Sequence, residues 1–114
     1  MKKQKLDMIN GFYSPFDKAL NRLLVNIKKD YDEWGGYREL DLKLKNGQKF
    51  IKVVEGSGVW GFVAKVDGEH KGLALKKGDV LKAASWNQAA KYTRGNIFDE
   101  NQDYFAWTGP NYLK

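Results

Sequence analysis

Between Ser85 and Tyr112 the chain interleaves aromatics with amides, hydroxyls and cations. Trp86, Tyr92, Trp107 and Tyr112 offer flat rings, Asn87 an amide, and Lys91 and Arg94 positive charge. Rings that stack on bases, beside cations that neutralise phosphate, suit single-stranded nucleic acid. The same residue types make the hot spots of protein–protein interfaces. They also fill the core of a small domain, with Asn and Thr tying down loops. The stretch has neither a helical period nor strand alternation, so it reads as a recognition surface or as an irregular cap on a small core. In the first case at least two of the four rings should lie together on an exposed patch.

Catalytic chemistry finds little footing. His70 is the single histidine, set between Gly68 and Gly72, and a metal site needs several ligands at fitting spacing. It reads as a surface residue. With no cysteine, disulfides and thiolate chemistry are excluded. Residues 56–61 fit G-x-G-x-x-G, but they fall between two predicted strands, not between a strand and a helix. Ser57 and Ser85 have no base beside them in sequence. The carboxylate pairs Asp30/Asp32 and Asp99/Glu100 stand in charged runs with no apolar pocket to raise a pKa. No catalytic residue, metal ligand or cofactor is expected. The leading reading is a non-enzymatic accessory factor with a protein partner. The alternatives are a weak, basic nucleic-acid-binding module and a small enzyme using Asp/Glu chemistry.

The elements that must position these residues begin with a helix over residues 14–34. Ser14 is a natural N-cap, Pro15 falls at N1, and Asp17 at N3 completes a start like a capping box. Phe16, Leu20, Leu23, Leu24, Ile27, Tyr31 and Trp34 form one apolar stripe, and Gly35-Gly36 ends the helix. Asp30, Asp32 and Glu33 sit at the C-terminal end, where the macrodipole disfavours anions. Either a basic neighbour from the sheet compensates them or solvent tolerates them.

Residues 37–55 predict a hairpin turning at Asn46-Gly47, the strongest short signal for a type I′ turn. That register sets Leu40 against Val53, Leu42 against Ile51, Lys43 against Phe50, Asp41 against Lys52 and Arg38 against Glu55. It gathers Leu40, Leu42, Ile51 and Val53 on a core face. Lys43, Lys45, Phe50 and Lys52 then share the opposite face, a candidate nucleic-acid surface that Asp41 and Glu39 partly neutralise. Val59–Val66 reads as a central strand, apolar on both faces, with Trp60, Phe62 and Ala64 together. Residues 67–72 form a turn, Leu73-Ala74-Leu75 a short strand, 76–79 another turn and Val80–Ala84 a strand. Ser85–Gly95 is a two-turn helix or an extended loop. Ile97-Phe98 and Tyr104–Trp107 are short final strands. The sum is α+β: an amphipathic helix packed on a small, strongly bent antiparallel sheet or partial barrel of five to seven strands.

The chain has 114 residues, 42% apolar and 30% charged, and is read as one soluble domain (1–13 an N-terminal arm, 37–113 the β-rich part). No run approaches the ~20 apolar residues of a membrane helix. The net charge of +6 is uneven. Residues 38–84 carry ten Lys/Arg against six Asp/Glu, and residues 85–114 three against three. The excess therefore lies on the strand-rich middle, where it attracts polyanions or keeps sheet edges soluble.

Gly78-Asp79-Val80-Leu81-Lys82-Ala83-Ala84-Ser85-Trp86-Asn87, then Ala90-Lys91, then Arg94-Gly95-Asn96-Ile97-Phe98, then Trp107-Thr108-Gly109-Pro110-Asn111-Tyr112-Leu113, resembles a C-terminal pattern in small uncharacterised proteins of bacteriophages and marine environmental sequences. The resemblance implies a phage-like or microbial source and a cytoplasmic setting. It implies no activity.

Overall fold

Ser14 starts the helix as its residue type predicts. Its Oγ accepts the Asp17 N–H at 3.1 Å, and Pro15 opens α1, Pro15–Trp34. The computed structural model describes residues 14–36, 38–101 and 103–111; the N-terminal arm and Tyr112 lie outside them. Gly35 closes α1 at φ 100°, its N–H bonded to the Asp32 carbonyl. Phe16, Leu20, Leu23, Ile27 and Tyr31 are buried along one stripe. Each such side chain contributes roughly 1.5–3 kcal/mol when fully removed from water. Trp34, the last member of the expected stripe, is instead 60% exposed.

Five strands follow in one antiparallel sheet: β1 Leu42–Asn46, β2 Phe50–Glu55, β3 Gly58–Ala64, β6 Asp79–Ser85 and β7 Gln88–Asn96, in that spatial order. A small hairpin, β4 Gly68–His70 with β5 Leu73–Leu75, is inserted between β3 and β6. A second, β8 Phe105–Ala106 with β9 Gly109–Pro110, ends the described chain. The fold is α+β as expected, but the main sheet is open and the described strands number nine, not five to seven. The strands not expected are β4 and β9, of three and two residues and too short to leave a period, and the longer β7.

Alternation along the strands divides the core. Ile51, Val53, Val63 and Val80 face α1 and form the larger cluster with its stripe, Leu40, Trp60, Ile97 and Tyr104. Phe62, Ala64, Leu81 and Ala89 face the other way and meet Leu75 from β5. His70, expected at the surface, is half-buried there. Its Nε2 lies 3.0 Å from the Ala90 carbonyl, tying the β4–β5 hairpin to β7. β3 is central, as its two apolar faces require.

Three expectations are corrected by backbone geometry. First, the β1–β2 turn is centred on Gln48-Lys49, with the Gly47 N–H donating to the Phe50 carbonyl at 2.9 Å. Leu44 therefore faces Val53, Lys45 faces Lys52, and Leu42 faces Glu55. Asn46 and Gly47 do not adopt positive φ. A Cβ on Gly47 would stand 2.9 Å from the Phe50 carbonyl, so close approach is what the glycine serves. Moving a turn by two residues preserves which residues share a face. Leu40, Ile51 and Val53 are still buried together with Leu42 against them.

Second, Trp60 is the extra residue of a β-bulge, because Val53 pairs with Gly61 but Val54 with Val59. The bulge turns Trp60 to the helix side, away from Phe62 and Ala64. Third, Ser85–Gly95 is neither helix nor loop. It is the β6–β7 hairpin, turning at Trp86-Asn87, with three register shifts along the pair. Those shifts remove strand alternation from the sequence. Ile97-Phe98 is a turn, and only Phe105–Ala106 of the expected last strand is extended.

The C-terminal hairpin lies against the helix side of the sheet where the sheet lacks side chains. A Cβ on Gly61 would meet Pro110 at 3.1 Å, and one on Gly95 would run into the Tyr104 ring. Arg22 secures the connection before it, donating to the Ile97 and Asp99 carbonyls at 2.8 and 2.7 Å.

Candidate functional site

The corrected register places Lys45 directly opposite Lys52 on the sheet face turned away from α1. Like charges directly opposite in a ladder are destabilising, so this face concentrates charge at a cost to the fold. Lys52 reaches across to the β6–β7 turn. Its Nζ donates to Asn87 Oδ1 at 2.8 Å and lies 4.6 Å from the centre of the Trp86 ring. Trp86 remains 46% exposed. Two groups of candidates, far apart in sequence, thus meet at one place.

Beside that contact is a concavity of about 310 Å³, lined by Lys45, Lys49, Lys52, Phe50, Phe62, Asn87 and residues 46–48. Phe50 forms part of its wall, edge-packed on Phe62 and His70 at 5.8 and 5.3 Å between ring centres. Lys49 donates to the Glu69 carbonyl, with its Nζ 5.9 Å from the Phe50 ring centre. Lys65 donates to the Gly47 carbonyl at 2.8 Å and braces the turn from behind. No Asp or Glu lines the concavity.

Lys43 is not opposite Phe50, as the turn at Asn46-Gly47 required. It faces Val54, and its Nζ pairs with Asp41 at 3.8 Å. Asp41 accordingly does not face Lys52, and the expected neutralisation of this face is displaced along β1. The other expected ion pair, Arg38 with Glu55, is present at 3.8 Å although Arg38 lies outside the ladder.

The C-terminal candidates are divided among different parts of the molecule. Lys91 and Tyr92 are exposed on β7, the Lys91 ammonium 5.5 Å from its neighbour's ring centre. Arg94 is engaged by the chain, donating to the Tyr92 carbonyl at 3.1 Å and the Asn111 carbonyl at 2.8 Å. Lys82 is similarly occupied, donating to the Pro110 carbonyl at 2.6 Å. Burial, and then the positive charge of Arg94, hold its ammonium below the usual lysine range. Trp107 is half-buried at the end of α1, edge-on to Tyr31 at 4.9 Å. It belongs to the helix side of the sheet, whereas Trp86 meets the opposite side.

Lys49, Phe62 and the Trp86–Lys52 contact were not among the sequence candidates. Phe62 enters through its pairing with Lys52, and Lys49 through the displaced β1–β2 turn, neither of which a local signal reports. Among the described residues, no group of three or more His, Cys, Asp and Glu side chains is placed to hold a metal ion. No described helix is long and apolar enough to cross a membrane.

No curated protein and no solved structure matches this chain. The model of a family of unknown function, DUF7717, matches residues 2–113. With nearly its whole length matched, the chain belongs to that family.

Proposed function

We propose that the protein is a non-enzymatic binding module and that its lysine-lined concavity takes single-stranded nucleic acid. The observation that carries this reading is the convergence of Lys45, Lys49 and Lys52 with Phe50, Trp86 and Asn87 around a concavity free of carboxylates. The lysines neutralise successive phosphates, and the exposed part of Trp86 offers a stacking face usable by any base. Asn87, its Oδ1 engaged by Lys52, keeps its amide N–H groups for a base edge or a phosphate. Little here distinguishes one base from another, so binding is sequence-tolerant. An accessory role inside a microbial or phage-infected cell is supported by the cysteine-free sequence and by the C-terminal resemblance.

Fluorescence anisotropy with a labelled single-stranded 12-mer tests the reading. Three phosphate contacts give a log–log salt slope near −2, or roughly a 20-fold loss of affinity between 50 and 200 mM salt. Trp86→Ala should weaken binding by ~1–3 kcal/mol. Lys49→Gln with Lys52→Gln should flatten the slope by more than one unit. A salt-insensitive interaction, or one unchanged in these variants, would contradict the proposal and return a protein partner to first place.

A further inference from the structure

A second concave surface lies at the C-terminal end of α1. Asp30, Glu33, Trp34, Trp107 and Thr108 line a groove of about 490 Å³. It adjoins another of about 390 Å³ that shares Asp30 and Glu33 and adds Glu100 and Phe105. The groove exists because the C-terminal hairpin folds back onto the helix, with the Trp107 N–H donating to Asp30 Oδ2 at 2.8 Å. Trp34 and Trp107 stand 4.9 Å apart between ring centres, tilted by 46°, with Tyr31 packed beneath them. Trp34 is an aromatic side chain that the fold leaves 60% in solvent.

The electrostatics are those of a cation acceptor. Asp30, Asp32 and Glu33 add their charges to the negative end of a 20-residue helix whose last turn has no basic residue. Neither of the ion pairs Arg38–Glu55 and Lys43–Asp41 includes any of these three acids. Lys29 borders the adjoining hollow as its one cation, against Asp30, Glu33 and Glu100. A half-exposed indole next to carboxylates, in a negative field, matches a guanidinium. Arginine is planar enough to stack on the ring and presents forked donors to a carboxylate.

We propose that this groove binds an arginine-bearing segment of a protein partner. The guanidinium stacks on Trp34 and donates to Glu33, while the flanking backbone of the segment follows the groove between α1 and residues 106–108. Lysine fits less well, because a compact ammonium cannot stack and bond bidentately together. This site is separate from the lysine-lined concavity and opposite to it in charge.

The test uses the full chain, labelled with nitrogen-15, titrated with the peptide GRGRG. The controls are GKGKG and the citrulline analogue, which keeps the shape of arginine without its charge. The indole N–H signals of Trp34 and Trp107 should shift saturably with GRGRG, less with GKGKG and not with citrulline. Both Trp34 and Glu33 are exposed, so Trp34→Ala and Glu33→Gln should keep the fold and weaken binding about five- to tenfold each. Equal response to the citrulline peptide, or binding unchanged in both variants, overturns the proposal. So does concentration-dependent self-association seen by sedimentation without any peptide response, which would assign the groove to a second copy of this chain.

Discussion

Two tryptophans, Trp86 and Trp34, are both about half in solvent and both beside charge, yet their surroundings are opposite. Trp86 sits in a two-residue hairpin turn with a lysine ammonium 4.6 Å from its ring centre. Trp34 sits in the last turn of a helix among carboxylates, with a second indole against it. The first surface is made by strand pairing on the sheet face away from α1. The second is made by a hairpin folding back onto α1. A net charge of +6 describes neither, because the chain separates its charges by face. Exposed aromatics alone therefore do not identify a partner; the sign of the charge beside them does.

The largest expected effect separates the two surfaces by breaking one. Gly95→Val puts a side chain into the Tyr104 ring, which is itself core, so the C-terminal hairpin must move. Overpacking of this kind costs about 1–3 kcal/mol, which lowers the melting temperature by on the order of 5–10 °C. Response to the arginine peptide should be lost while oligonucleotide binding persists, since Lys45, Lys49 and Lys52 lie on the other face. Loss of both activities together in a folded variant would show that the two surfaces are not independent.

A smaller effect concerns Lys82, which ties β6 to the C-terminal hairpin through the Pro110 carbonyl. Its ammonium is held below the ordinary value of 10.5 in the folded chain, first by burial and then by Arg94. The unfolded chain keeps that proton up to about pH 10.5, so across the window below it the unfolded state binds more protons. Stability contributed through Lys82 thus rises with pH in that window. Lys82→Met should remove this increment from a denaturation series run at several pH values. An identical pH dependence in wild type and variant would count against the assigned cause.

How much of this was legible in the sequence depends on how local each signal is. The helix was readable from Ser14, Pro15 and Gly35 because capping is decided within four residues. The faces of the β1–β2 hairpin were readable but not its partners, since a turn displaced by two residues keeps the same side chains together. β7 was not readable, because its bulges erase the period of two that marks a strand. The Trp34 groove was visible only as an anomaly, three acids at the wrong end of a helix. Its other wall comes from residues more than seventy positions away.

On the proposed function, the carboxylate-free concavity and not the tryptophan-rich groove takes nucleic acid. The most direct measurement is nitrogen-15 shift mapping of the full chain with an unlabelled single-stranded 12-mer. Shifts should be confined to the amides of residues 45–52 and to the Asn87 side chain and Trp86 indole, with the indoles of Trp34 and Trp107 unmoved. Shifts centred on Trp34 and Trp107, or none at an oligonucleotide concentration well above the protein's, would contradict it.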